Sequence, residues 1–211
     1  MNLNPDLPSK TIAAMNRLLQ NNSYLQEVGW FNSFLAELPV NRQGKALPWY
    51  TYPAIAFLED KVKEDMSAFE YGSGTSTIWW SDHVNRVVSC EHDKEWYQKL
   101  APNIAGNVDY IYFDLIPGGN YSKAIKKFND EFDIVVIDGR DRVNCVKNSL
   151  YSLKQGGVIV WDNSERKHYN EGYTYLLTNG FKRLDFWGLG PINAYGWCTS
   201  VFYKPNNCFG I

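Results

Sequence analysis

Five short apolar runs rich in β-branched residues, separated by helical stretches, dominate this chain from residue 67 onward and leave few folds open to it. The runs are Ser67–Tyr71, Arg86–Cys90, Val108–Phe113, Phe132–Ile137 and Gly157–Trp161. Helical patterns fill the gaps, at Thr75–Asp82, Asp93–Leu100, Tyr121–Phe128, Val143–Leu153 and Tyr169–Leu177. A strand with no polar face must be covered on both sides, which is the situation of a parallel sheet between two layers of helices. The end of the chain breaks the pattern. Phe181–Phe186 and Thr199–Tyr203 are strand-like, and the turn-rich stretch from Trp187 to Trp197 leaves no helix between them. They are expected to pair as an antiparallel hairpin, with Thr199–Tyr203 inserted between the fifth strand and Phe181–Phe186. The expected fold class is α/β: a three-layer sandwich around a seven-stranded, mostly parallel sheet with an antiparallel C-terminal hairpin.

A length of 211 residues suits one such domain. The residues before the first strand read as three helices: Ser9–Leu19 with Ser9 as its cap, Gln26–Leu38, and Pro53–Lys63, proline being tolerated in a first turn. They are expected to form a helical cap, residues 1–66, packed as a lid on residues 67–211. The net charge is −2, and the densest basic cluster, Lys123 to Lys127, has the spacing of a solvated helix face. Nucleic acid is therefore not an expected partner. No apolar run approaches the roughly 18 residues of a membrane span, and Met1–Asn16 lacks an apolar signal core. Four scattered cysteines without a C-x-x-C pattern suit reduced thiols and a cytoplasmic location.

The chemistry gathers where the strands end. Phe69-Glu70-Tyr71-Gly72-Ser73-Gly74-Thr75 leaves the first strand through a G-x-G turn into a helix. Glycines there admit positive φ and let a ligand approach the backbone. A dinucleotide site would want a third glycine, where this chain has Thr77, and a carboxylate inside the turn would repel a diphosphate. Glu70 suits a ligand carrying a cation, such as the ammonium of an amino acid. Glu91, nineteen positions past Gly72, ends the second strand, where an acid can accept two hydrogen bonds from a ribose diol. Asp114, Asp138 and Asp162-Asn163 end the next three. Helix capping explains Asp93 and serves equally well for Asp114, but not Glu70 or Glu91, which precede the helix starts.

On these residues the chain resembles the class I S-adenosylmethionine-dependent methyltransferases, of Rossmann-like fold, from about Ala68 to Tyr203. Their acidic E/D-x-G-x-G turn corresponds to Glu70, Gly72, Ser73 and Gly74, leading into Thr75, and their ribose acid to Glu91. The adenine-packing position is His92, and the acid ending the fourth strand is Asp138. The resemblance implies S-adenosylmethionine as cofactor, with Asp114 and the loop residues Tyr50 and Thr51 also facing it. A narrower likeness, to catechol-type O-methyltransferases, implies a magnesium ion on Asp138, Asp162 and Asn163. Three oxygen ligands plus waters suit that ion. Arg140 and Asp141, however, stand where those enzymes place a lysine base, and arginine does not act as a base at neutral pH. That departure favours a metal-free site in which Asp138 faces cofactor or acceptor.

The N/D-P-P-Y/F motif of nucleic-acid amino methyltransferases is missing after the fourth strand, which reads Asp138-Gly-Arg-Asp141. Aromatic residues near the expected site, Trp49, Trp161, Tyr169, Trp187, Tyr195 and Trp197, suit a sugar or aromatic acceptor. His168 is the histidine placed for acid–base work, with Asp138 as the other catalytic candidate. The function expected is methyl transfer to a hydroxyl oxygen of a small molecule. The alternatives are a nicotinamide-dependent oxidoreductase and a non-catalytic S-adenosylmethionine-binding protein.

Overall fold

A computed structural model describes residues 8–211. Seven strands form one sheet: β1 (Ser67–Tyr71), β2 (Arg86–Glu91), β3 (Val108–Tyr112), β4 (Phe132–Ile137), β5 (Leu153–Asp162), β6 (Lys182–Gly188) and β7 (Trp197–Tyr203). Their order is β3-β2-β1-β4-β5-β7-β6. The first five run parallel, and β7 is antiparallel to both β5 and β6, so it lies inside the sheet as its sequence pattern requires.

The strand side chains alternate between two cores. Phe69, Tyr71, Val88, Cys90, Val135, Ile137, Ile159 and Trp161 point to one face, under α7 (Asn120–Lys123), α8 (Arg142–Ser149) and α9 (Asn170–Thr178). Ala68, Val87, Ile134, Val136, Val158 and Val160 point to the other, against α4 (Tyr52–Lys61) and α5 (Thr75–His83). The helix α6 (Lys94–Leu100) follows β2, its first turn capped by Asp93 Oδ1, which accepts from Trp96 N at 3.0 Å. Strand order reverses between β1 and β4, because the chain runs from β1 to β2 on one side and from β4 to β5 on the other, and ligands in open α/β sheets bind beyond the carboxyl ends at such a point.

The N-terminal region departs from the expected three helices. It holds α1 (Ser9–Leu18), α2 (Tyr24–Glu27) and α3 (Trp30–Ala36) before α4. Ser9 is the first helical residue of α1, and Pro8 takes the cap position. The single helix expected from Gln26 to Leu38 is cut at Gly29, whose φ is +81° and whose Cβ, if it had one, would lie 2.4 Å from the backbone carbonyl carbon of Asn41. The helix expected at Tyr121–Phe128 is α7 followed by a 3-10 turn, Ala124–Lys127. Among the described residues no helix is long and apolar enough to cross a membrane.

Candidate active site

The turns after β1 and β4 touch backbone to backbone. Gly72 has a φ of +89°, and a Cβ there would stand 2.8 Å from Gly139 N and Cα. Asp138 N donates to Tyr71 O at 3.1 Å and Gly72 N to Cys90 O at 2.9 Å, so the ends of β4, β1 and β2 are laced into one floor without side chains. Glu70 lies behind that floor, not in it. Its Oε2 accepts from Thr77 Oγ1 at 2.5 Å and Ser89 Oγ at 2.8 Å, tying the first turn of α5 to β2. Burial pushes this carboxyl up to about 7, more than those hydroxyls pull it down.

Glu91 is the opposite case. Its Oε2 accepts from Ser73 N at 2.9 Å and Ser73 Oγ at 2.6 Å, and its Oε1 from His92 N at 2.7 Å and Asp93 N at 2.8 Å. His92 Nδ1 lies 2.9 Å from Oε1 but off hydrogen-bonding alignment. Burial works to raise this carboxyl, yet the interactions with His92, Asp93 and Ser73 outweigh it and hold the group down at about 2. Trp96 Nε1 donates to Ser73 O at 2.9 Å and so fixes the turn from the side of α6. Together with Gly72, Ser73, Gly139 and Asp138, Glu91, His92 and Trp96 line a cavity of about 470 Å³.

A second cavity, of about 510 Å³, opens beside it, walled by Trp49, Asp162, Glu165, Asn193, Tyr195 and Trp197. Asp138, Asn163 and Arg166 line both cavities and so form the partition. Arg142, only 6% exposed, backs that partition and reaches the first cavity. Its guanidinium donates to Asp138 O at 2.6 Å, Asp138 Oδ1 at 3.1 Å, Gly139 O at 2.9 Å, Asn163 Oδ1 at 3.4 Å and to the Asp162 carbonyl. Asp162 Oδ1 accepts from Thr199 Oγ1 at 2.6 Å and Trp197 Nε1 at 2.9 Å. Burial raises both Asp138 and Asp162 above the usual carboxylate range; Asp162 pushes Asp138 higher still, and Arg142 opposes the shift in both.

This donor set does not fit a magnesium ion. Arg142 already holds oxygens of Asp138 and Asn163 as a built-in cation, and Asp162 turns an oxygen toward Trp197 and Thr199. Octahedral coordination at about 2.0–2.1 Å would need those oxygens to converge on one point. Among the described residues no group of three His, Cys, Asp or Glu side chains is arranged to hold a metal.

Of the sequence candidates, Gly72, Ser73, Glu91, His92 and Asp138 meet at the first cavity. Gly74 and Thr75 begin α5 beside it, with Gly74 N donating to Thr77 Oγ1 at 3.1 Å. Others lie elsewhere. Asp114 accepts from Tyr112 Oη at 2.5 Å in a separate depression with Ile116 and Asn120. Tyr50 is fully buried, its hydroxyl 3.4 Å from Trp80 Nε1, and Thr51 is spent on Phe186 O and Thr199 Oγ1. His168 is exposed on the 3-10 turn Lys167–Tyr169, packed on the Tyr169 ring at 4.1 Å, and lines neither cavity. Trp161, within β5, is core, its ring packed against Tyr173 of α9. Sequence reasoning missed Trp96, Arg142 and Arg166. Trp96 carried a signal, three residues past the Asp93 cap; a buried arginine announces itself only in three dimensions.

Residues 69–164 match a protein family described as a methyltransferase domain. Over that stretch the chain is similar to a methyltransferase domain. The match spans the Glu70–Gly74 and Glu91 pattern that carries the resemblance, and the fold is Rossmann-like. In fold the domain is similar to a precorrin-6y C5,15-methyltransferase from Geobacter metallireducens GS-15, at 15% identity and a TM-score of 0.60, over 80% of this chain and 95% of that one. An rRNA methylase from Streptococcus thermophilus is 11% identical with a TM-score of 0.53, over 72% and 96%. A spermidine synthase from Thermotoga maritima is 14% identical with a TM-score of 0.52; the match covers 72% of this chain and 57% of the synthase. Likeness at these identities concerns the fold, and the three names differ in what is acted upon. No curated protein sequence matches the chain.

Proposed function

We propose that this domain transfers the methyl group of S-adenosylmethionine to a hydroxyl oxygen of a small molecule, with Asp138 as proton acceptor. The observation that carries the reading is the position of Asp138 on the partition between two cavities, one floored by bare glycine backbone and one walled by aromatic and polar side chains. A Cβ at Gly72 or Gly139 would force apart the two turns that make that floor, and Glu91, at the end of β2, supplies the acid a ribose diol needs. These residues fit the cofactor.

When bound, S-adenosylmethionine supplies a methyl already activated by its sulfonium, so the oxygen–carbon bond forms as the carbon–sulfur bond breaks with its electron pair left on sulfur. The protein's part is to align the acceptor and take its proton. Asp138 Oδ receives that proton; burial and the neighbouring Asp162 raise its proton affinity, and Arg142 opposes them. Arg142 anchors Asp138 from behind and holds its rotamer. Glu91 would exchange Ser73 Oγ for the ribose hydroxyls, His92 would edge the adenine, and no step runs through a metal ion. The four cysteines, all free thiols, agree with a cytoplasmic setting.

Calorimetry with S-adenosylhomocysteine, and NADH as control, tests the cofactor. Binding should be confined to the former and weaken by about 1.5–3 kcal/mol in Glu91→Ala, the loss of charge-assisted hydrogen bonds. Turnover should survive EDTA and fall in Asp138→Asn by far more than cofactor affinity does. Abolition by EDTA with rescue by magnesium would overturn the metal-free mechanism.

A further inference from the structure

The second cavity combines two kinds of wall. Trp49 and Tyr195 offer large rings that remain 45% and 65% exposed, one from the segment before α4 and one from the β6–β7 connection. The same cavity is lined by Asp138, Glu165, Arg166 and Asn193, a set in which hydrogen-bond acceptors are abundant. A flat apolar ring seated here would strip water from those groups and give nothing back, at a cost for every unpaired one. A ring bearing several hydroxyls would donate to the carboxylates along its edge. Its C–H face, positively polarised, would meet the negative faces of the aromatic rings.

The connection carrying Asn193 and Tyr195 is held in place from outside the sheet. Trp30 Nε1 on α3 donates to Asn193 O at 2.9 Å, and Tyr52 N donates to Leu189 O at 2.7 Å. Gly190 packs under the same loop, where a Cβ would stand 2.2 Å from Tyr50 O. The aromatic wall is therefore built before any acceptor arrives, which lowers the ordering cost of binding.

We propose that the acceptor is a polyhydroxylated ring, a sugar, stacked between Trp49 and Tyr195 with one hydroxyl presented to Asp138. This deepens the methyl-transfer reading and rests on it. The transfer balances as above: the sugar hydroxyl loses its proton to Asp138 and gains the methyl, and S-adenosylhomocysteine is released.

Saturation-transfer NMR on protein loaded with S-adenosylhomocysteine tests this, with D-glucose, D-glucosamine and L-rhamnose as sugars and catechol as the flat competitor. At least one sugar should receive saturation mainly on the protons of one ring face, and catechol should not displace it. Trp49→Ala and Tyr195→Ala, on walls that do not touch the cofactor cavity, should each cut that signal several-fold while affinity for S-adenosylhomocysteine stays within about twofold. Saturable catechol binding with no sugar signal would overturn the proposal in favour of an aromatic acceptor. So would sugar signals unchanged in both variants, or no signal from any probe on protein that binds S-adenosylhomocysteine. Failure to bind S-adenosylhomocysteine at all would instead remove the cofactor reading beneath it.

Discussion

Glu70 and Glu91 end adjacent strands, yet their environments drive them in opposite directions. Glu91 receives backbone N–H groups of Ser73, His92 and Asp93 and is held at about 2. Glu70 receives only hydroxyls on Oε2, while Oε1 has no partner, and burial takes it to about 7. The consequences for stability have opposite signs. Between its unfolded value near 4.5 and its folded value near 7, Glu70 binds more proton in the native state, so its contribution to stability falls as pH rises through that window. Glu91 contributes fully above 4.5 and loses its contribution as pH falls toward 2. Thermal melts of wild type and Glu70→Gln should diverge between pH 5 and pH 8. The wild type should lose on the order of 3 kcal/mol relative to the variant across that interval. Parallel melting curves would mean that Glu70 does not carry the shifted proton. The acidic spacing at 70 and 91 was legible in the sequence, but the division into buried anchor and cavity-lining acid was not, because it depends on which oxygens meet backbone donors.

At the scale of elements, the strands were readable and the turns between them only partly so. Continuous apolar runs flag buried strands whatever their neighbours, and β1, β4 and the β6–β7 pair lie close to where the pattern puts them. The fifth strand begins earlier than its apolar run, at Leu153, because a bulge opposite Phe132–Ile134 absorbs extra residues around Gly156 and Gly157. Helix ends were the weaker guide: Gly29 splits a helical pattern because its neighbour Asn41 leaves no room for a side chain. The contact that closes the floor of the first cavity is between two turns far apart in sequence, Gly72 against Gly139. A Cβ on Gly139 would stand 2.0 Å from the buried Tyr121 hydroxyl and 2.9 Å from Gly72 N. Gly139→Ala should therefore cost about 1–3 kcal/mol in denaturant unfolding, the scale of overpacking a closed site. It should also weaken binding of S-adenosylhomocysteine. A variant as stable as wild type would show that the two turns part easily.

At the scale of the whole molecule, the region before β1 does not behave uniformly. Tyr52, Ala54, Ile55 and Leu58 of α4 are buried in the same core as Val136 and Val160, so this helix is part of the sheet's covering layer. Trp30 on α3 reaches the β6–β7 connection. By contrast α1 has no buried residue, and Ile12, Met15, Leu18 and Leu19 are 36–56% exposed. We propose that residues 1–66 act as a cap only from α2 onward. Deleting the chain through Gln20 should change unfolding free energy by no more than about 0.5 kcal/mol, as for other surface changes. Deletion through residue 60 should leave no soluble folded protein, since it uncovers one face of the sheet. A stable, cofactor-binding fragment lacking α4 would refute the cap.

Local chemistry settled the layers, the hairpin and the acids at the strand ends, because apolar runs, turn residues and the glycine pattern act through near neighbours and need no partner to be recognised. Only the packed fold decided which of those acids line the two cavities and what each is bonded to. Asp114 turned to Tyr112, Asp162 to Trp197 and Thr199, and Tyr50 and Thr51 into the interior, while Arg142 came to occupy the place where a metal ion was conceivable. Those outcomes are set by contacts between residues from different strands and loops, and by the desolvation that follows when they are enclosed together; neither is a property of any one stretch of chain.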